Sequence, residues 1–127
     1  MFEMQVKGTF DAAHHLRGYE GKCSRLHGHT WTVALDVQGE TLDEMGMLVD
    51  FKVLNQLLKE TLEPLDHQNL NDLLPFRSVN PTAENIAKYL YETLAPQPVF
   101  AQGAARLASV RVWESPHSLV RYSGEPS

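Results

Sequence analysis

Two long stretches of alternating polar and apolar residues constrain this chain more than any other feature. Phe2, Met4, Val6, Gly8, Phe10, Ala12 and His14 fall on one parity, with Glu3, Gln5, Lys7, Thr9 and Asp11 on the other. A second run places His27, His29, Trp31, Val33, Leu35 and Val37 on one side, opposed by Gly28, Thr30, Thr32 and Asp36. Period two with one polar side describes half-buried β-strands. The intervening residues 16–26 hold Gly18 and Gly21 among Arg17, Lys22 and Arg25, and read as a loop. The pair is therefore expected to form a hairpin, with Gly39 closing the second strand.

The period then changes. Leu54, Leu57, Leu58 and Leu62 lie at helical spacing over residues 51–62, with Lys52, Lys59 and Glu60 left for the outer side and Pro64 closing the helix. Residues 66–80 are rich in Asn, Asp, Pro and Ser and are expected to be mostly loop. Thr82 is placed to cap a second helix, in which Ile86, Leu90 and Leu94 form a stripe, and Pro96-Gln-Pro98 leads into another loop. Residues 107–123 read as two short strands divided near Ser115-Pro116-His117. The order ββααββ predicts an α+β fold: an antiparallel four-stranded sheet with a pair of helices on one face, in a single domain spanning 1–127.

Charge narrows the function. Eleven Lys and Arg against 16 Asp and Glu give a net charge of −5, and no run of basic residues offers a nucleic-acid surface. An apolar fraction of 43% with 21% charged residues is that of a globular protein rather than a disordered one. No stretch reaches the roughly 18 apolar residues of a membrane span. Met1–Phe10 carries Glu3, Gln5 and Lys7 and lacks the apolar centre of a secretory signal. The lone Cys23 forms no internal disulfide, so the expectation is a cytoplasmic protein without membrane or nucleic-acid partners.

Four of the six histidines lie between residues 14 and 29. Parity puts His14 on the apolar side of the first strand and His15 on the other, whereas His27 and His29 share the apolar side of the second with Trp31. In an antiparallel hairpin, His14, His27 and His29 converge, and three neutral imidazoles with an open fourth position make a catalytic zinc site. The competing reading is that each is a hydrogen-bonded structural histidine. Cys23 invites the same choice between a small buried apolar group and a thiolate favoured by Lys22 and Arg25. Asp66-His67 is either a turn cap or an acid–base pair.

The segments Phe10-Asp-Ala-Ala-His14, Cys23-Ser-Arg-Leu-His27-Gly-His29, Leu65-Asp66-His67-Gln-Asn-Leu70-Asn71, Asn80-Pro-Thr82-Ala-Glu84-Asn85 and Val112-Trp-Glu114 together resemble the 6-pyruvoyltetrahydropterin synthase family, in its order and over nearly the whole chain. Within it the chain looks most like the bacterial 6-carboxy-5,6,7,8-tetrahydropterin synthases of queuosine biosynthesis, whose short Cys-x-x-x-His-Gly-His spacing it shares. The resemblance implies a lyase of the T-fold (tunnelling fold) with Zn2+ on His14, His27 and His29. It further implies Cys23, Asp66 and His67 as catalytic groups, Glu114 as the pterin anchor and Thr82 lining the pterin pocket. The implied substrate is 7,8-dihydroneopterin triphosphate, turned over in a homo-oligomer, trimer or hexamer, with sites between subunits. Arg17, Lys22 and Arg25 are candidates to attract the triphosphate. The alternatives are the pyruvoyl reaction on the same substrate and, more distantly, a non-catalytic zinc-stabilised binding module.

Overall fold

A computed structural model describes residues 1–124. The two alternating runs form β1 (Phe2–His14) and β2 (His27–Gly39), paired antiparallel along their whole length from Phe2 opposite Gly39 to His14 opposite His27. This register puts Phe10 opposite Trp31 and Ala12 opposite His29, so the two apolar parities share one face. Phe10 and Trp31 stack there with ring centroids 6.0 Å apart, and Trp31 has no exposed surface.

Helix α1 (Phe51–Leu62) starts where the Asp50 side chain accepts from the Lys52 N–H, and it buries Leu54, Leu58 and Leu62. Helix α2 (Ala83–Leu94) is capped as expected by Thr82, which accepts from the Asn85 N–H, and it buries Ile86, Ala87, Leu90 and Leu94. Both helices pack with the same core as Val6, Trp31, Val33 and Leu35. Burying each Leu stabilises the fold by about 1.5–3 kcal/mol. α1 sits close to the sheet because Gly8 has no side chain: a Cβ there would lie 3.1 Å from Leu58 Cδ2.

Two strands complete the sheet, β4 (Arg106–Ser115) and β5 (Ser118–Tyr122), joined through a turn at Ser115 and His117. The expected antiparallel four-stranded sheet needs correction. There are five strands in the order β3-β1-β2-β4-β5, and the additional β3 (Gln68–Asn69) runs parallel to β1, making the sheet mixed. Two residues are too few to show any alternation in sequence. The region 66–80 is otherwise loop with two 3-10 turns, Leu70–Asp72 and Leu74–Phe76. The loop expected after Pro96 instead contains a single helical turn, α3 (Pro98–Ala101), with Pro98 at its first position, where a missing N–H costs nothing. The element order is thus ββαβααββ. No helix among the described residues is long and apolar enough to cross a membrane.

Candidate active site

The loop end of the β1–β2 hairpin gathers the imidazoles. His14 and His27 face each other across the strands with ring centroids 4.6 Å apart; His29 lies 5.1 Å from His14 and 4.8 Å from His27. β4 brings Glu114 to the same face, because Val110, Val112 and Glu114 follow one parity beyond the register shift near Ala108. One donor atom from each of His14, His27, His29 and Glu114 lies within 4.8 Å of the others, so this group can hold a metal ion.

Hydrogen bonding orients the rings for that task. The Nδ1 of His14 is 2.7 Å from the Pro81 carbonyl, and the Nδ1 of His27 is 2.6 Å from the Arg25 carbonyl. A carbonyl can only accept, so each ring in its neutral form carries its proton on Nδ1 and offers a bare Nε2. The Nε2 atoms of His14 and His29 are buried without a hydrogen-bond partner. Glu114 Oε1 approaches His29 Nε2 to 3.1 Å but is not aligned for a hydrogen bond. Unpartnered buried nitrogens are costly in a folded protein, and a metal ion satisfies them. Burial lowers the pKa of His14 and of His29, against the opposing pull of the Glu114 carboxylate on both and of the Pro81 carbonyl on His14. The neutral, ligating form is thereby favoured.

A second cluster lies on the outer edge of β1. Asp66 accepts from the Asp11 N–H at 2.9 Å through Oδ1 and holds His67 Nδ1 at 2.8 Å through Oδ2. The His67 N–H in turn donates to the Asp11 carbonyl at 2.6 Å. The Asp66 hydrogen bond raises the His67 pKa, while the Asp66 pKa is lowered first by the Asp11 N–H and then by His67. His67 and His29 line a common open depression of about 600 Å³ together with Asp11, Thr30 and Asn69. On the other side of His29, Glu114, Trp113, Thr32 and Lys7 line a second depression of similar volume.

Cys23 belongs to neither cluster. It sits half-buried in a 3-10 turn, Lys22–Ser24, whose Cys23 carbonyl accepts from the Leu16 N–H. Thr82 uses its hydroxyl to cap α2. Arg17, a candidate for the triphosphate, is exposed, and its guanidinium donates to the carbonyls of Asn71, Phe76 and Val79. Lys22 and Arg25 remain exposed. Asp11 escaped the sequence reading, although its position opposite Thr30, beside the expected metal ligands, was available from strand register.

Residues 3–125 match the 6-pyruvoyl tetrahydropterin synthase family. A 6-carboxy-5,6,7,8-tetrahydropterin synthase of Synechocystis is 41% identical over 119 residues, covering 90% of this chain and 87% of that protein. A protein of the same name from Haemophilus influenzae is 31% identical and covers 96% of this chain and 99% of its own. The human 6-pyruvoyl tetrahydrobiopterin synthase is 37% identical over 83% of this chain and 72% of its own. The structure of the Caenorhabditis elegans 6-pyruvoyl tetrahydropterin synthase superposes with a TM-score of 0.83 at 28% identity, over 98% of this chain and 96% of that one. Fold and sequence together define a pterin synthase, a lyase. The chain belongs to the 6-pyruvoyl tetrahydropterin synthase family, as its motifs lead one to expect.

Proposed function

We propose that the chain, as one pterin-synthase domain over 1–127, converts 7,8-dihydroneopterin triphosphate and one water to 6-carboxy-5,6,7,8-tetrahydropterin, releasing acetaldehyde and triphosphate, as a step of queuosine biosynthesis. The observation that carries this reading is the pair of buried, unpartnered Nε2 atoms on His14 and His29 beside His27. Three imidazoles, two of them oriented by backbone carbonyls, suit Zn2+, which takes nitrogen donors in tetrahedral geometry and keeps one position open for substrate. Bound there, zinc would polarise the substrate's side-chain oxygens and acidify the neighbouring C–H.

The remaining work falls to the chain. Cys23, as thiolate, removes a carbon-bound proton; Asp66 and His67 manage protons on the side-chain oxygens, with Asp66 fixing the imidazole. Glu114 accepts hydrogen bonds from the amino-pyrimidine edge of the pterin, using a carboxylate that also lies beside His29. Thr82, at the start of α2, lines the pterin pocket. A lone free thiol is best preserved in a reducing compartment, which supports a cytoplasmic location. The unpaired edge of β1, where β3 covers only Ala12 and Ala13, supports assembly into trimers or hexamers with sites between subunits.

The carboxy product is favoured by the Cys23-x-x-x-His27 spacing and by the 41% identity to a 6-carboxytetrahydropterin synthase. The pyruvoyl outcome is the second reading, favoured by the 37% identity to the human protein. The assignment of roles is tested by metal content measured alongside turnover. Cys23→Ala should keep stoichiometric zinc and lose turnover, and His14→Ala should lose both. Full activity in Cys23→Ala sinks the thiolate base.

A further inference from the structure

β1 stops at His14, and β3 supplies ladder partners only to Ala12 and Ala13. The backbone beyond is nevertheless bonded as if a strand continued beside it. The His15 N–H donates to Asn71 Oδ1 at 2.9 Å, and the His15 carbonyl accepts from Asn71 Nδ2 at 3.0 Å. Two residues on, the Arg17 N–H donates to Asn80 Oδ1 at 2.9 Å and the Arg17 carbonyl accepts from Asn80 Nδ2 at 3.0 Å. Leu16, pointing the opposite way, donates its N–H to the Cys23 carbonyl at 2.8 Å. Alternation of this kind is that of a β-strand between two neighbours. A carboxamide carries one carbonyl and one N–H-bearing nitrogen, as a peptide unit does, so it can replace one rung of a ladder.

Both asparagines are themselves fixed. Asn71 is 6% exposed. The Asn80 carbonyl accepts from the Thr82 N–H and from Asn85 Nδ2, tying it to the start of α2. The next carbonyl along, that of Pro81, is the one that holds His14 Nδ1. The Arg17 guanidinium closes the assembly by binding the Asn71, Phe76 and Val79 carbonyls.

We propose that Asn71 and Asn80 are positioning residues of the active site: their carboxamides take the place of a strand beside residues 15–17 and so set His14 and the Cys23 turn in register with each other. The inference rests on the reading of His14 as a metal ligand and Cys23 as the base. It separates from loop stapling because the same asparagine that holds Arg17 also delivers the Pro81 carbonyl to His14.

The test compares wild type, Asn71→Ala and Asn80→Ala in three measurements: the Zn2+ dissociation constant by chelator competition, the rate of Cys23 alkylation by iodoacetamide in zinc-loaded protein, and the thermal midpoint. Asn80→Ala should weaken zinc roughly 10- to 100-fold, the range typical when a group that orients a metal ligand is lost. Both variants should change the alkylation rate several-fold. A lowered thermal midpoint with unchanged zinc affinity and alkylation overturns the proposal, since loop stapling alone gives that result. Should Asn80→Ala not fold, Asn80→Asp keeps the acceptor for the Arg17 N–H, loses the donor to the Arg17 carbonyl, and is read the same way. Full turnover in Cys23→Ala would remove the catalytic reading while leaving both binding measurements able to decide the positioning role.

Discussion

His67 holds its backbone at φ 58°, a left-handed conformation that costs a non-glycine residue roughly 1–2 kcal/mol. The conformation is kept by the N–H bond to Asp11 and by β3 beginning at the next residue, and it turns the imidazole onto Asp66. With its pKa raised by Asp66, His67 stays protonated to higher pH than a free imidazole, and any stability it contributes is present below 6.5 and lost as pH rises through the raised value. An NMR titration should place the His67 midpoint above 6.5, and Asp66→Asn should move it back down; an unmoved midpoint contradicts the pairing. Glu114 poses a different question, because its carboxylate lies beside His29 and also in an open depression. Glu114→Gln should keep zinc stoichiometric while raising KM about 10-fold or more, the loss expected of a charged hydrogen bond of about 1.5–3 kcal/mol. Loss of zinc would make Glu114 a ligand instead. Of these residues, His14, His27 and His29 were legible in the sequence because strand parity alone decides which face they share. The contacts of Asn71 and Asn80 were not: they reach across 56 and 63 residues, and no local spacing encodes them.

Between elements, the polar face of the sheet carries a network as specific as the core. Asp36 accepts from Gln5 Nε2 at 2.8 Å, Ser109 Oγ at 2.6 Å and Arg111 Nε at 2.6 Å, linking β1, β2 and β4. Partial burial disfavours the carboxylate, yet the bonds from Ser109, Gln5 and Arg111 outweigh it and hold its pKa below 3.8. A carboxyl depressed on folding stabilises the protein above its unfolded pKa, and that contribution is lost as pH falls through the folded value. Asp36→Asn should therefore cost about 1–2 kcal/mol in urea unfolding at neutral pH. The gap should close in strong acid; equal stability at neutral pH would remove Asp36 from the ledger of strand contacts. Across the layers, Gly8→Val should be destabilising by about 1–3 kcal/mol, because a Cβ there would already lie 3.1 Å from Leu58 Cδ2 and 3.3 Å from Leu62 Cδ1 and the added methyls need further room. The helices and long strands were readable since each repeats its period several times, whereas β3 and α3 span about one period each and so show no repeat that would reveal them.

For the whole molecule, the open edge of β1 and the exposed Phe2 and Phe51, which line one depression near its start, are features that a monomer would leave to solvent. Sedimentation should give a mass several times that of one chain, and a monomer at working concentration would contradict active sites shared between subunits. With a net charge of −5, the proposed polyanionic substrate calls for positive charge concentrated at the site, and the exposed Lys22 and Arg25 beside the His27 end of the hairpin are the candidates to supply it. Loss of triphosphate alone and loss of triphosphate with two side-chain carbons give products of different mass. The decisive measurement is product identification by mass after zinc-loaded protein is incubated with 7,8-dihydroneopterin triphosphate. The account predicts 6-carboxy-5,6,7,8-tetrahydropterin together with acetaldehyde. A pyruvoyl product, or recovery of unchanged substrate from protein with stoichiometric zinc, would contradict it.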